Sequence, residues 1–388
     1  MKNFRITIAI TFILAGFQPF AQNFEELEFG TDSTLDVVTW NLEHFPKLGT
    51  ITTGYVSEII QALEADVVAI QEIEDHSAFY SMVAGMENYA CFAANLDYTD
   101  DLAYIYNTET VEMISIDSIF IGERRPFPRN PLVLEMMFMD QKYYIINNHY
   151  KAGGDGILIL SDSTDPETRR YDACYLLDEY IATELPDENV IVLGDLNDVL
   201  TDGYSNNVFR AFLEQPDTYL FTDMAIAEGS WNYWSYPTWP SHIDHILITN
   251  ELFDEFENES TEITTLLIDD YFWGWDDYDF NVSDHRPVGL KLMPGITTGE
   301  VAKPANPDGF TIAPNPCNKS TQITLPPFGG QATLIIVDAN GRKKETIIIE
   351  EGEKTLHLQT STFPPGIYSL LLVSERGITN TQKIMVTH

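Results

Sequence analysis

The segment VIVLGDLND, residues 190–198, decides the fold class. It begins with a continuous apolar run, which ends at Gly194 and is followed by Asp195, Asn197 and Asp198. A strand without polar alternation is typical of a sheet that is covered on both faces. We therefore predict a layered α/β domain in which polar side chains emerge where a buried strand ends, at the edge of a sheet where ligands commonly bind.

Similar apolar runs occur on both sides of this segment, between residues 36 and 293. The predicted strands are Val37–Trp40, Val67–Ile70, Tyr143–Asn147, Ile243–Ile248 and Val288–Leu292. Helical periodicity occurs between them, at Val56–Leu63, which we expect to begin near Ser57, and at Arg170–Ala182. The alternation of strands and helices predicts one large α/β domain.

Polar residues follow several of these strands and could bind a metal ion. Asn41 follows the first run, Glu72 follows the second, and Asp195 follows the run at Val190. Two carboxylates about 4 Å apart repel each other by about 4 kcal/mol at an effective dielectric near 20, and a cation would relieve this repulsion. Such oxygen ligands suit Mg²⁺, Mn²⁺ or Ca²⁺ better than zinc. An Asx turn after a strand is the alternative interpretation of residues 195–198.

Histidines stand beside aspartates or amides at three further strand ends. The motifs are Asn148-His149, Ser241-His242-Ile243-Asp244-His245 and Ser283-Asp284-His285-Arg286-Pro287. A carboxylate beside an imidazole fixes its tautomer and raises its pKa, which provides a base or acid near neutral pH. A single histidine is more often structural, but five polar motifs at predicted strand ends together indicate an active site.

Residues 35–293 resemble the endonuclease/exonuclease/phosphatase family. The resemblance is carried, in the family's order, by Trp40-Asn41-Leu42, Gln71-Glu72, Asn148-His149, Gly194-Asp195-Leu196-Asn197-Asp198, Ile243-Asp244-His245 and Ser283-Asp284-His285-Arg286-Pro287. It implies a four-layered α/β sandwich, with two face-to-face β-sheets and helices outside. It also implies a divalent-metal site for Mg²⁺ or Mn²⁺, with Ca²⁺ as a further candidate.

The resemblance also implies residue roles. Glu72 would be the main metal ligand, with Asn41 close to the metal and Asp284 completing the site. Asp195 would bind or activate the nucleophile, and Asn197 would orient the scissile phosphate. His285, polarised by Asp244, would act as general base, and His149 would act as an acid or stabilise charge. Arg129, with Pro131 behind it, resembles the family's phosphate-contacting arginine, and Arg125-Pro126 is a nearby alternative alignment.

The charge of the chain is unevenly distributed. Residues 23–306 hold 12 Lys and Arg against 53 Asp and Glu, a net charge of −41, whereas residues 307–388 hold 7 of each. Such acidity repels polyanions and weakens non-specific binding to DNA or anionic lipid. Seven of the 12 basic residues nevertheless lie in or beside the motifs: Arg124, Arg125, Arg129, Lys151, Arg169, Arg170 and Arg286. This clustering predicts a phosphate pocket, with Arg129, Lys151, Arg169 and Arg170 as substrate-binding residues.

The two ends of the chain indicate export. Residues 1–21 combine Lys2 and Arg5, an apolar run and a small residue at Ala21, as in a secretory signal peptide, and no later segment is apolar enough to span a membrane. Three cysteines are too few for a disulfide scaffold and leave a single Cys91–Cys174 bond open. Residues 294–309 are predicted to be a Pro- and Gly-rich linker.

Residues 310–388 predict a small all-β sandwich. Strand patterns occur at Thr333–Val337, Thr346–Glu350, Thr355–Leu358 and Ile367–Val373, with turns at Asn340-Gly341 and Glu351-Gly352. The segments Ala313-Pro314-Asn315-Pro316, Val337–Arg342 and Pro365-Gly366-Ile367-Tyr368 resemble the C-terminal sorting domain of type IX secretion substrates. A carbohydrate- or surface-binding β-module is the alternative.

Together these features lead us to expect a secreted or surface-held phosphodiesterase. The first candidate is an extracellular nuclease with nucleic acid as substrate and the secretion machinery as partner of the tail; the oligomeric state is left open. A phosphohydrolase acting on phospholipid or small organic phosphates is the second candidate. The third is a non-catalytic surface-binding module. Aromatic clusters at Trp231–Trp239 and Tyr271–Trp275 could stack on bases, enter a lipid interface or pack within loops.

Overall fold

The computed structural model describes residues 24, 26–94, 101–295, 310–315, 317–325, 332–338, 343–350, 352–374 and 377–387. The predicted signal peptide and residues 296–309 of the predicted linker lie outside these ranges. The chain divides into two compact units between Gly295 and Ile296. Each unit is described by itself.

The first unit consists of strands with helices between them. Its strands are β1 (Leu35–Phe45), β2 (Val67–Ile73), β3 (Tyr89–Ala93), β4 (Asp101–Asn107), β5 (Val111–Ser118), β6 (Leu132–Phe138), β7 (Gln141–His149), β8 (Asn189–Asp195), β9 (Tyr219–Phe221), β10 (Asp244–Thr249), β11 (Glu262–Thr265) and β12 (Val288–Leu292). Its helices are α1 (Thr50–Leu63), α2 (His76–Val83), α3 (Pro166–Glu184), α4 (Arg210–Leu213), α5 (Met224–Ala227), α6 (Phe253–Phe256) and α7 (Trp275–Asn281).

The strands form two six-stranded mixed sheets. The first has the order β11-β12-β1-β2-β4-β3 and the second has the order β5-β6-β7-β8-β10-β9. The β1–β2 and β7–β8 pairs are parallel, and the other pairs are antiparallel. This order puts the parallel pair near the centre of each sheet, where its strands are covered on both faces.

Alternate residues of the central strands pack into different cores. In β8, Ile191 and Leu193 pack between the two sheets, whereas Val190 and Val192 pack against α3 on the outer face. In the first sheet, the outer face packs against α1 and α2. The layers are therefore helix, sheet, sheet and helix, which confirms the predicted four-layered α/β sandwich.

Polar side chains connect the sheets near the ends of their strands. Nε2 of Gln71 in β2 donates to Oδ1 of Asn147 in β7 at 2.7 Å, and the Asn147 amide donates to the carbonyl of Ile70 at 3.0 Å. Tyr104 donates its hydroxyl proton to the carbonyl of Ile145 at 2.7 Å. These buried hydrogen bonds fix the alignment of the sheets, so that their polar ends open at one place.

Gly194 lets β7 and β8 approach closely just before the motif residue Asp195. Its φ is 139°, and a Cβ atom there would lie 1.9 Å from the carbonyl oxygen of Asn148. Only a residue without a side chain fits this position.

Two helix boundaries differ from the sequence prediction. Helix α1 begins at Thr50 rather than near Ser57, and its N-cap, Gly49, provides no side-chain cap. Helix α3 begins at Pro166, because Asp165 caps it by accepting a hydrogen bond from the Thr168 amide at 2.9 Å. The apolar period alone could not locate these first turns.

The second unit is all β within its described residues. Its strands are β13 (Thr311–Ala313), β14 (Ser320–Thr324), β15 (Ala332–Asp338), β16 (Lys343–Ile349), β17 (Thr355–Gln359), β18 (Gly366–Ser374) and β19 (Gly377–Val386). They form sheets of order β13-β14-β17 and β16-β15-β18-β19 around one apolar core. The predicted turn at Asn340-Gly341 and residue Glu351 lie outside the described residues.

The three cysteines are free. Cys91 packs with the outer core of the first sheet, whereas Cys174 is buried in the outer core of the second sheet, so the bond that the sequence left open does not form. A search of the described helices finds none with the length and apolarity needed to cross a membrane.

Candidate active site

The motif residues meet where the central strands end. In the parallel pair β7–β8, His149 pairs with Asp195, and in the antiparallel pair β8–β10 Asp195 pairs with Asp244. Asn41 lies within β1, beside Gln71 of β2, at the point where the regular pairing of these two strands is interrupted. Because parallel strands end at one edge and antiparallel neighbours begin there, residues distant in sequence converge on one cleft.

Asn41 lies at the centre of the cleft and joins the two sheets. Its Nδ2 atom donates to Oε1 of Glu72 at 3.1 Å and to Oδ2 of Asp195 at 3.0 Å. The Nε2 atom of His149 lies 3.5 Å from the same Asp195 oxygen and 3.8 Å from Glu72 Oε1. The predicted metal-binding and catalytic groups are therefore in one cluster.

His285 approaches this cluster from the opposite side. Its Nδ1 atom lies 2.8 Å from Oδ2 of Asp244, and its Nε2 atom lies 3.9 Å from Asp195 Oδ2 and 3.8 Å from Asp284 Oδ1. The ring of Tyr236 covers that of His285, with 4.8 Å between centroids. These contacts hold the imidazole so that Nε2 faces the cleft.

Asn197 is held in a tight turn beside Asp195. Its φ is 55°, and its backbone amide donates to Asp195 Oδ1 at 3.0 Å. The side-chain Nδ2 atom donates to the carbonyl of Tyr150 at 3.3 Å. Asparagine tolerates this left-handed conformation better than most residues, so the residue type suits the turn as well as the predicted contact with phosphate.

Glu72 reaches the cleft from an irregular position in β2. Its φ is 66°, and the pairing of β2 with β4 is interrupted between Ile70 and Ile73. A left-handed glutamate costs about 1 kcal/mol or more, and such strain concentrates at functional sites. The irregularity turns Glu72 towards Asn41, where a regular strand would direct its side chain perpendicular to the sheet.

Negative charge accumulates in the cleft. Burial raises the pKa of Asp195 and of Asp284, and the charge of Glu72 raises both pKa values further, against the opposing effect of His285. Burial also raises the pKa of Glu43, which was not predicted as a site residue and whose Oε2 atom accepts from the Asp284 amide at 2.9 Å. Carboxylates that are partly desolvated beside one another are suited to a divalent cation.

The two histidines have opposite electrostatic environments. Burial lowers the pKa of His149 well below its usual range, and the charges of Arg129 and His285 lower it further. Burial alone would lower the pKa of His285, but the carboxylates of Asp244, Asp195 and Asp284 together outweigh burial and the net pKa is raised. In the cleft without a cation, burial therefore keeps His149 neutral, whereas the surrounding carboxylates favour the protonated form of His285.

The donor set fits a hard divalent cation. The carboxylates of Glu72 and Asp284 could hold it, with Asn41 beside Glu72, and the two carboxylates are partly open to the cleft. Oxygen donors of this kind favour Mg²⁺, Mn²⁺ or Ca²⁺.

Basic residues form a patch next to His149. Burial lowers the pKa of Lys151, and the neighbouring charges of Arg169 and Arg129 lower it further, which shows that the three side chains lie close together. Arg169 donates through Nη2 to the carbonyl of Arg124 at 3.1 Å. Three of the four predicted substrate-binding residues therefore lie together beside the cleft.

Arg170, the fourth predicted substrate-binding residue, is placed differently. Its side chain is buried, and its Nε atom donates to Oδ2 of Asp198 at 2.8 Å. Its Nη1 atom donates to the carbonyls of Lys151 and Gly153, each at 2.7 Å. Arg170 is therefore not part of the basic patch. It lies beneath the patch, where it binds the backbone carbonyls of the loop that follows His149.

The aromatic loop before β10 borders the cleft. Tyr236 packs on His285, and Trp234 donates to the Ile226 carbonyl at 3.1 Å, but Trp231, Tyr233 and Trp239 are exposed, Trp239 by 79 %. Residues 236 and 241 form an isolated bridge, and Trp239 lies in the short loop between them. Only part of this cluster packs within the protein.

Comparison with known proteins identifies the fold and its relatives. Residues 38–285, more than half of the chain, match the model of the endonuclease/exonuclease/phosphatase family. The chain belongs to this family. No curated protein matches the chain. The family consists of phosphoesterases that depend on divalent metals, and this chain has the fold of these hydrolases.

Several solved structures are similar to this chain at low sequence identity. TDP2 of D. rerio, complexed with a single-strand DNA product, is 14% identical with a TM-score of 0.50, and the match covers 67% of this chain and 99% of that chain. The human nocturnin catalytic domain with bound sulfate is also 14% identical, with a TM-score of 0.48 and coverage of 67% and 94%. A Bacteroides vulgatus family member is 13% identical, with a TM-score of 0.48 and coverage of 67% and 98%.

The second unit matches a different family. Residues 311–387 match the secretion system C-terminal sorting domain. This match confirms the predicted sorting domain, which directs a family hydrolase to the cell surface or the extracellular space through type IX secretion.

Proposed function

We propose that this protein is a secreted phosphodiesterase that depends on a divalent cation and hydrolyses nucleic acid. The observation that carries the proposal is that two imidazoles flank one carboxylate, with Nε2 of His149 and Nε2 of His285 lying 3.5 and 3.9 Å from Asp195 Oδ2. The carboxylates that could bind a metal adjoin this arrangement. A phosphate bound there would be surrounded by proton-exchanging and charge-stabilising groups.

Each residue of the cleft has a separate role in the proposed reaction. Glu72 and Asp284 would hold the cation, with Asn41 beside them, and the bound cation would supply charge stabilisation for the phosphoryl oxygens. Asp195 orients a water molecule whose oxygen attacks phosphorus. A bound cation would offset the charges of Asp195 and Asp284 that raise the pKa of His285, and the neutral imidazole would accept the water proton at Nε2 while Asp244 holds its Nδ1–H. Asn197 orients the phosphate, and His149 stabilises the departing oxygen as the phosphorus–oxygen bond breaks.

Two surfaces beside the cleft support nucleic acid as the substrate. The basic patch of Arg129, Lys151 and Arg169 lies on the side of His149. Exposed Trp239 lies in the loop closed by the bridge between residues 236 and 241, and Tyr236 of this bridge packs on His285. A strand crossing the cleft would meet cations for its flanking phosphates and aromatic rings for its unstacked bases, and each base–ring stack contributes about 1–3 kcal/mol.

A phospholipid or a small organic phosphate is the second candidate substrate. The charge of −41 over residues 23–306 opposes the approach of a polyanion. Exposed apolar side chains also lie on the loop that follows His149, where Ile157 is 52% exposed and Leu160 is 55% exposed. Such side chains, with Trp239, could enter a lipid interface.

A substrate panel with matched variants separates these candidates. Purified protein is assayed on single-stranded DNA, plasmid, RNA, sphingomyelin vesicles and bis(p-nitrophenyl) phosphate. Replacing Lys151 and Arg169 by Gln should raise KM for DNA by about tenfold and leave the small diester nearly unchanged, because only a polymer reaches beyond the central site. Lys142→Gln is the control, since Lys142 pairs with Glu188 at 2.8 Å at the far end of β7. Turnover of vesicles without turnover of DNA would replace the nuclease proposal by its alternative.

A further inference from the structure

A buried cluster of one aspartate and two histidines lies behind the catalytic centre. Asp223 follows β9, and His242 and His245 lie at the start of β10; all three side chains are at most 1% exposed. Oδ2 of Asp223 lies 3.0 Å from Nε2 of His242 and 2.6 Å from Nδ1 of His245. Three potential metal-ligating atoms therefore meet in the protein interior.

The hydrogen bonds determine where the protons of this cluster lie. His245 has an acceptor at each ring nitrogen, since its Nε2 atom lies 2.9 Å from the carbonyl oxygen of Asp198. Both nitrogens must then donate, so His245 is an imidazolium. His242 accepts from the Ser235 amide at Nδ1, at 3.3 Å, so its proton is on Nε2 and points at Asp223.

This proton arrangement disfavours a metal ion. A ligating imidazole needs a free lone pair, but both nitrogens of His245 carry protons. The other Asp223 oxygen, Oδ1, accepts from the Ile246 amide at 3.0 Å. One carboxylate and one imidazolium also leave the cluster with no net charge that would attract a cation.

The ion pair connects to the turn that carries Asn197. His245 makes this connection by donating to the backbone carbonyl of Asp198. Buried Arg170 donates to the carboxylate of the same residue at 2.8 Å. Arg170 also donates to the carbonyls of Lys151 and Gly153. Two buried cationic side chains therefore hold Asp198: His245 binds its backbone carbonyl and Arg170 binds its carboxylate. Arg170 also holds the loop that follows His149.

We propose that the Asp223–His245 ion pair and Arg170 are positioning residues for the catalytic turn Asp195–Asp198, and that the Asp223–His242–His245 cluster is not a second metal centre. The conformation of Asn197, at φ 55°, depends on the residues on both sides of it being fixed. The catalytic part of this inference rests on the proposed function, because it assumes that Asn197 orients a phosphate.

The test replaces His245 by Gln in the full-length protein. Glutamine is uncharged and carries both of its N–H donors on one nitrogen atom, whereas His245 donates from two ring nitrogens, so the turn should loosen. We expect kcat on bis(p-nitrophenyl) phosphate to fall by about 10–100-fold with KM changed less than about threefold, because small misplacements of a catalytic group cost about 10²-fold. Hydrogen exchange of the Leu196 and Asn197 amides, which bond to the Ile243 carbonyl and to Asp195 Oδ1, should become faster.

Phe221→Leu is the matched control. The Phe221 ring packs edge-on against His245 with 5.9 Å between centroids, so its truncation weakens the same core without removing a hydrogen bond. At a similar loss in melting temperature, this variant should keep the wild-type kcat and the wild-type exchange rates at residues 195–198. A merely structural role of His245 would make the two variants alike and would overturn the proposal.

A double variant and the metal content complete the test. Arg170→Met combined with His245→Gln should lower kcat by less than the product of the two single effects, because both act on Asp198. The bound metal per chain should be the same in wild type and His245→Gln; loss of one ion would show a metal centre and overturn the inference. If wild type hydrolyses no phosphodiester, the proposed function fails, while the exchange rates and metal content still test the positioning role.

Discussion

Oδ2 of Asp244 lies 2.8 Å from Nδ1 of His285, and this contact turns Nε2 of the imidazole towards Asp195. Asp244→Asn would offer an amide N–H to Nδ1 and favour the wrong tautomer. We expect kcat to fall by about 10²–10⁴-fold, the usual contribution of a general acid or base. Steady-state hydrolysis of bis(p-nitrophenyl) phosphate measures this, with exposed Asp270→Asn as control. A loss in kcat below about threefold, similar to that of an unrelated surface substitution, would contradict the catalytic role of the Asp244–His285 pair.

The close approach of β7 and β8 depends on Gly194. In Gly194→Ala the new methyl group would collide with the Asn148 carbonyl, at a φ of 139° that alanine avoids. We expect a loss of about 2–4 kcal/mol in unfolding free energy, measured by urea denaturation. Gly203→Ala is the control because no atom lies within 4 Å of a Cβ atom there. Equal stability of the two variants would show that the strands have room to separate.

Buried acids far from the cleft should make stability fall as the pH rises. Burial raises the pKa of Asp36 to about 7 and that of Asp66 to about 6, and both groups interact across the β1–β2 pair. A raised pKa in the folded state means that protonation favours folding: this stability is fully present below the ordinary pKa of about 4 and is lost as the pH rises through 6 to 7.

Asp36→Asn tests this linkage. Its unfolding free energy should decline less between pH 4 and 8 than that of wild type, by about 1–3 kcal/mol, because the titrating carboxyl is absent. Asp32→Asn, at an exposed position, provides the control curve. Parallel curves for wild type and Asp36→Asn would show that Asp36 titrates normally.

The second unit should be needed for export and not for catalysis. Deletion of residues 310–388 removes the sorting domain that matches over 311–387 and leaves the first compact unit whole. We expect unchanged kcat/KM for the purified protein and its retention in the cell envelope, measured by fractionation. Full-length Glu72→Gln should be exported normally, which separates export from activity. Normal export of the truncated chain would refute the sorting role.

The sequence predicted the convergence of the site because its polar motifs follow apolar runs. The run that begins at Val190 is apolar at every position because alternate residues, such as Val190 and Ile191, pack into different cores. The unbroken apolar pattern had predicted a strand that is covered on both faces. Burial of Arg170 was not predictable, because its partners Asp198 and Lys151 are brought to it only by the fold.

Other features of the site were missed for similar reasons. Asp223 lies far from the histidine motif in sequence, and no local pattern marks it as their partner. The left-handed conformation of Glu72 arises from the interruption of β2, which a run ending in Gln71-Glu72 does not reveal. Tyr236 could have been singled out from the aromatic cluster only through its contact with His285.

The most direct test of the account is the metal dependence of phosphodiester hydrolysis. Glu72 and Asn41 lie 3.1 Å apart in the cleft, whereas Glu74, two residues further on, is exposed and pairs with His44. Wild type and Glu74→Gln should lose activity on bis(p-nitrophenyl) phosphate in excess chelator and recover it with Mg²⁺ or Mn²⁺. Glu72→Gln should remain about 10²-fold slower or more at any metal concentration, with its fold intact. Wild-type turnover in excess chelator, or a Glu72→Gln variant as active as Glu74→Gln, would contradict a metal-dependent centre at these residues.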